Sequence, residues 1–271
     1  MRTTRAGASA IITDADRTEL QALAGQLAAG YQPAGWQPVA SSPHTRVARN
    51  DERQLYYKEF LSRSPAESLK ARLRGSRADR ARRNADALLL AGIEAPRSVH
   101  WGTLPGGTQY LFSASVPGQR LDHWLRDAAA APTAANRDAR RALLAALGAF
   151  IGRIHAAGFI HGDLRPGNVL VDQRGDFFQF ALLDNERNRR KSPPPGRMLL
   201  RNLMQLNMLP ANVLCRTDRM RFFRAWRSHL LEYSTPELKL LAAEAYRWSV
   251  RRMATPATRL SAQPGPPTDP Q

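Results

Sequence analysis

Apolar residues recur at helical spacing over Asp16–Ala28 and then give way to a Gly/Pro-bearing stretch, Tyr31–Pro38. From Val39 to Phe60 the pattern shortens to strands and turns. Its clearest strand is Leu55–Phe60, which follows the polar turn Asn50–Arg53. Ser64-Pro65 opens a helical region reaching Ala91, divided at Gly75 and stopped by Gly92. Arg97–Trp101 and Thr108–Ser113 read as two strands joined through Leu104–Gly107. After Val116-Pro117-Gly118 the character changes. A short helix begins near Leu121, and a longer one runs from Thr133 to Ala156 with Leu143, Leu144, Leu147, Phe150, Ile151 and Ile154 on one face. Val169–Val171 and Phe178–Leu183 are short strands around the turn Gln173–Asp176. From Pro195 to about Ala254 the chain reads as helical.

Strands with helices, followed by a mostly helical half, predict an α+β chain of two lobes jointed at Pro117-Gly118. The expected division is an N-terminal tail with a short helix over 1–30, a small β-rich lobe over 31–115 and a larger helical lobe over 116–254. A tail over 255–271, rich in Pro, Gly, Thr and Gln, is expected to be disordered. At 271 residues the chain is long enough to bury a core in each lobe.

Charge changes the picture more than composition does. There are 40 Lys and Arg residues against 23 Asp and Glu, a formal net charge of +17. Such a surface attracts nucleic acid, an anionic bilayer or a phosphorylated substrate. No zinc pattern or aromatic RNA-binding motif accompanies it, so nucleic acid ranks last among these partners. The one cysteine, Cys215, excludes an intrachain disulfide and reads as a small buried apolar residue. The longest apolar region, Ala142–Ile160, is interrupted by Arg153 and His155 and falls short of a membrane span. The N-terminal apolar stretch is too short for a signal peptide. The expected location is the cytoplasm.

The informative stretch is His161-Gly-Asp-Leu-Arg-Pro-Gly-Asn168, followed after a hairpin by Leu182-Leu183-Asp184. Phosphoryl transfer needs a group to take the acceptor's hydroxyl proton and oxygen donors to hold Mg2+ on the phosphates of ATP. Asp163 suits the first task, and Asn168 and Asp184 the second. A loop this rich in Gly and Pro is free of regular structure and able to present Asp163 and Asn168 on one side.

The segment resembles the catalytic loop of the protein-kinase-like superfamily, H-[RG]-D-L-x-x-x-N, in the Gly162 form found among sugar and small-molecule kinases. The resemblance implies a bilobal protein-kinase-like fold, with ATP held between the lobes. Asp163 is then the catalytic base, and Asn168 and Asp184 bind metal and nucleotide. Lys58 resembles the strand lysine that contacts the α- and β-phosphates; its helix carboxylate partner is Asp79 or Asp86. Tyr110–Ala114 resembles the hinge strand, so that Leu111 and Ser113 contact adenine through their backbones. His155 and His161 are read as structural. Asp184-Asn185-Glu186 replaces the usual D-F-G, which puts a Phe-driven activation switch in doubt. No G-x-G-x-x-G is present, and Ser41–Val47 stands in its place.

Gly92–Pro96, the H-G-D-L loop, Asp184–Arg187, Arg201–Leu206 and Asp218–Trp226 together resemble the lipopolysaccharide kinase family, which includes 3-deoxy-manno-octulosonic acid (Kdo) and core heptose kinases. This implies ATP-dependent phosphorylation of an inner-core sugar hydroxyl at the cytoplasmic face of the inner membrane. The implied partners are an anionic lipopolysaccharide precursor and the anionic membrane surface. Arg165, Arg187, Arg189 and Arg190 are the candidate substrate cations, with Arg197 and Arg201 extending the patch. Aminoglycoside- or choline-type kinases call for an acidic cleft, and a non-catalytic pseudokinase is the remaining alternative.

Overall fold

The structure is a computed structural model that describes residues 13–61 and 76–260, with side chains through 254. The helix expected between Ser64 and Gly75 lies outside these residues, as do the ends of both expected tails. The chain divides into two compact units, Met1–Val116 and Pro117–Gln271.

The first unit is built on a five-stranded antiparallel sheet. Its strands are β1 (Trp36–Val39), β2 (Thr45–Asn50), β3 (Leu55–Phe60), β4 (Ser98–Thr103) and β5 (Gln109–Ala114), in the order β1-β2-β3-β5-β4. Helix α1 (Asp14–Ala28) belongs to this core. Its Leu20, Ala24 and Leu27 pack on Trp36, Tyr57 and Phe112. Because side chains alternate along a strand, Phe60 and Leu111 face the other way. There they meet Ala78 and Ala81 of α2 (Arg77–Leu90). One helix therefore covers each face. The buried Glu59 accepts a 2.7 Å bond from Arg46, which also donates to the carbonyl of Ala28 at the end of α1.

The second unit begins with β6 (Gln119–Arg120), α3 (Leu121–Ala130) and α4 (Ala134–Ala156). Next come β7 (Phe159–Ile160), a 3-10 turn at Pro166–Asn168, and the hairpin of β8 (Val169–Arg174) and β9 (Phe177–Leu182). A second 3-10 turn at Asn185–Arg187 leads to β10 (Arg189–Arg190), then α5 (Gly196–Leu206), α6 (Arg216–Arg227) and α7 (Thr235–Leu260). β6 joins the hairpin to make three strands, and β10 pairs with β7.

The C-terminal helical stretch is broken twice. Pro210 cannot continue a helix and lies in the gap after α5. Before α7, Ser234 and Glu237 form a reciprocal cap with Pro236 in the first turn. Cys215 is exposed rather than buried, because it caps α6 together with Asp218. Asp218 is itself buried against Arg140 of α4 at 2.6 Å. Burial opposes its charge, but hydrogen bonds from Arg140 and Cys215 outweigh burial and hold the carboxyl below its usual range.

Two glycines set the spacing of α4 and α6. A Cβ at Gly148 falls 2.3 Å from the carbonyl oxygen of Phe222, and one at Gly152 falls 2.7 Å from that of Trp226. Neither backbone oxygen can move without moving its helix. Gly148→Ala is expected to cost about 1–3 kcal/mol in urea denaturation. Gly25→Ala in α1, where nothing lies within 4 Å of the new methyl, is expected to stabilise by about 0.5–1 kcal/mol.

Candidate active site

The first half of the 161–168 loop, from His161 to Leu164, has its backbone N–H groups held by side chains. Asn202 of α5, fully buried, accepts from the backbone N–H of His161 at 3.1 Å and donates to its carbonyl at 2.7 Å. The N–H of Gly162 donates to Asn188 Oδ1, that of Asp163 to His161 Nδ1, and that of Leu164 to Gln205 Oε1. With its Nδ1 accepting, the His161 ring is neutral. Its Nε2–H then donates to the carbonyl of Leu183 at 2.8 Å, one residue before Asp184. The N–H of Leu183 in turn donates to the carbonyl of Asn168. Burial pushes the pKa of His161 down, against the hydrogen bond to Leu183 and the nearby Asp184 and Asp163.

A second histidine supports the first. Trp226 can only donate through its indole N–H, so its 3.0 Å contact makes His155 Nδ1 an acceptor. His155 Nε2–H then donates to Asn202 Oδ1 at 3.2 Å. The ring is fully buried, and burial lowers its pKa to about 4. The expectation that both histidines are structural agrees with these contacts.

Asp163, Asn168 and Asp184 line one open cavity of about 360 Å³, together with Arg120, Asp122, Arg126 and Arg165. Asp163 Oδ1 accepts from Gln205 Nε2 at 2.9 Å and Arg165 Nε at 3.0 Å. Asn168 donates through Nδ2 to the carbonyl of Asp163 at 2.8 Å. Among the described residues its Oδ1 takes no hydrogen bond and is available to a cation. Asp184 is exposed and sits at φ 56° and ψ 51°, a left-handed conformation that aspartate tolerates better than most residues. Arg187, Arg189 and Arg190 do not line this cavity. All three are exposed, and Arg190 lies over the ring of Phe159.

Gly162 explains why the loop reads H-G-D. A Cβ there would stand 2.1 Å from Cβ of Arg187 and 2.7 Å from its carbonyl carbon. The turn after Asp184 thus packs directly on the loop. Asn188, which takes the N–H of Gly162, is held in turn by Asn185 at 2.8 Å.

In the first unit, Lys58 lies on β3, an interior strand, and stands opposite Leu111 of β5. It therefore shares the α2 face of the sheet with Phe60, whose ring centre is 5.2 Å from its ammonium group. Ser113 stands opposite Tyr56, each two residues from the Leu111 and Lys58 pair, and so on this same face, but a hinge role uses only its backbone. Of the two candidate carboxylates, Asp79 accepts from Ser76 at the start of α2 and Asp86 pairs with Arg82. Asn202 and Gln205 were not read as site residues from the sequence. Both fall in the Arg201–Leu206 segment that carries the family resemblance, where two amides stand three apart on an otherwise apolar helix face.

The chain has the protein-kinase-like fold. Residues 35–226 match the model of the lipopolysaccharide kinase (Kdo/WaaP) family, and the chain belongs to that family; it is a kinase of the Kdo/WaaP type. The solved structure of WaaP in complex with acyl carrier protein superposes with a TM-score of 0.57 at 20% identity, covering 81% of this chain and 88% of that one. At that identity the likeness is one of fold. The EKC/KEOPS complex subunit BUD32 of Chaetomium globosum is 27% identical over 154 residues, which are 50% of this chain and 58% of that protein. The match thus spans little more than half the length of that relative.

Two predictions follow from this geometry. Gly162→Ala is expected to abolish turnover, since the methyl must displace either the loop that carries Asp163 or Arg187; a rate near that of the parent would show that the loop can yield. The second concerns pH. His155 is depressed to about 4 in the folded chain, below its ordinary value of about 6.5. The unfolded chain therefore binds the extra proton first. This contribution to stability is complete above about pH 6.5 and is lost as pH falls toward 4, by an amount of order 3 kcal/mol. Denaturation midpoints measured from pH 7 to 4 are expected to fall less steeply in His155→Gln, which does not titrate.

Proposed function

We propose that this chain transfers the γ-phosphate of ATP to a sugar hydroxyl of the lipopolysaccharide inner core, on Kdo or heptose, with Asp163 as the base. The observation that carries this reading is the shared cavity of Asp163, Asn168 and Asp184 in a kinase of this family. Asp163 orients the acceptor hydroxyl and takes its proton as the oxygen attacks phosphorus. Lys58 contacts the α- and β-phosphates, and the backbones of Leu111 and Ser113 receive the adenine.

The donor set suits Mg2+. Asn168 and Asp184 offer an amide oxygen and a carboxylate on one cavity. No group of three or more His, Cys, Asp or Glu that could hold a metal occurs among the described residues. Two hard oxygen ligands fit an ion that keeps several waters and takes the rest of its shell from phosphate. When bound, Mg2+ neutralises phosphate charge.

The net charge of +17 supports an anionic acceptor and work at an anionic bilayer surface. Among the described residues no helix is long and apolar enough to cross a membrane. We assign the protein to the cytoplasmic face of the inner membrane, held peripherally. Arg165 lies beside the base and meets the acceptor. Arg187, Arg189 and Arg190 form a separate basic strip for anionic groups farther from the reacting hydroxyl.

The test is transfer of label from γ-³²P-ATP with Mg2+ to Kdo-lipid A and to heptose-containing core acceptors. Label is expected on a sugar. Asp163→Asn is expected to lower transfer by about 10²–10⁴-fold while ATP still binds. Asp184→Asn is expected to lose Mg2+-dependent ATP binding, read by thermal shift. Asp163→Asn working at the parent rate would remove Asp163 as the base. Absence of label from every acceptor, with ATP still bound, would move the substrate outside lipopolysaccharide.

A further inference from the structure

We infer that Gln205 is a positioning residue for phosphoryl transfer, its buried amide pinning Oδ1 of Asp163 so that Oδ2 is the atom that takes the acceptor's proton. This rests on the reading of Asp163 as the base.

The orientation of the amide is fixed by chemistry. The N–H of Leu164 can only donate, and it reaches Gln205 Oε1 at 3.1 Å. The other end of the amide, Nε2, must therefore face Asp163, where it donates to Oδ1 at 2.9 Å. Gln205 is 6% exposed, so water does not compete well for either bond. Arg165 also donates to Oδ1, at 3.0 Å, from a side chain that is 59% exposed and screened by solvent. Two donors thus converge on one carboxylate oxygen. Among the described residues none donates to Oδ2.

A carboxylate held by one oxygen keeps its plane and leaves the lone pairs of the other oxygen to an incoming hydroxyl. A neutral amide does this without setting a second full charge against the base. Helix α5 is the natural place for it. Asn202 and Gln205 are three residues apart and share a face. Asn202 holds the backbone of His161, and Gln205 holds Asp163 and Leu164. One rigid helix therefore fixes both the loop and the carboxylate that the loop carries.

The competing account is that Gln205 serves only the N–H of Leu164. Two variants separate these roles. Gln205→Glu keeps an acceptor for Leu164 but turns a second carboxylate oxygen toward Oδ1. Gln205→Met is close in shape and loses both bonds. Transfer from ATP to Kdo-lipid A, and ATP hydrolysis with water as acceptor, are measured for both variants beside Asp163→Asn. The positioning role predicts that Gln205→Glu lowers kcat about as much as Gln205→Met, by on the order of 10²-fold. KM for ATP should stay within about threefold of the parent, since misalignment of the base spares ground-state nucleotide binding.

A second readout needs no acceptor. The Gln205 side-chain NH2 resonances are expected to shift in Asp163→Asn and to stay in place in Asp184→Asn. Gln205→Glu turning over at the parent rate while Asp163→Asn is inactive would overturn the role of Gln205 alone. So would NH2 resonances that ignore Asp163→Asn. Asp163→Asn turning over at the parent rate would instead remove the base on which the inference rests.

Discussion

Four consecutive backbone N–H groups, from His161 to Leu164, each donate to a side chain: Asn202, Asn188, His161 and Gln205 in turn. A helix satisfies its own backbone and a strand pairs with its neighbour, whereas a loop of this kind does neither. Buried N–H groups left without partners would cost about 1–3 kcal/mol each. The conformation that sets Asp163 and Asn168 on one cavity therefore depends on those four acceptors. Asn202 matters most, because it grips both the N–H and the carbonyl of His161 while it accepts from His155.

The helices are arranged to supply these acceptors. α4 brings His155 and α6 brings Trp226, and the glycines at 148 and 152 let the two helices approach until indole and imidazole meet at 3.0 Å. α5 then carries Asn202 and Gln205 up to the loop. On the other side, the short turn after Asp184 folds back on Gly162 and delivers Asn188. Where the sequence departs from D-F-G, the structure has a compact turn bound to the catalytic loop by hydrogen bonds and van der Waals contact.

Much of this was legible in the sequence because it is local. Leu55–Phe60 has the composition of a strand and is one, and Gly92 ends α2 as expected. The spacing of Asp163, Asn168 and Asp184 pointed to residues that the structure does bring to one cavity. What was missed depends on partners far along the chain. Nothing near Gln205 says that it meets Asp163, and nothing near Asn202 says that it meets His161. The two-residue strands β6, β7 and β10 are too short to show a period. Cys215 was misjudged by composition, because its place is set by the capping of α6. Of the four arginines read from the sequence as substrate cations, Arg165 lines the cavity, and Arg120 and Arg126 from the stretch around α3 line it as well.

The central claim is that side chains hold the loop from His161 to Asn168 in place with no ligand bound. Hydrogen exchange at the amides of His161, Asp163 and Leu164, measured on the full chain without ATP, tests it directly. The account predicts exchange as slow as that of the buried turns of α4, because each amide is bonded to a side chain of the core. Rapid exchange that slows only when ATP and Mg2+ are added would contradict it, and would mean that the substrate, not the buried amides of α5, orders the loop.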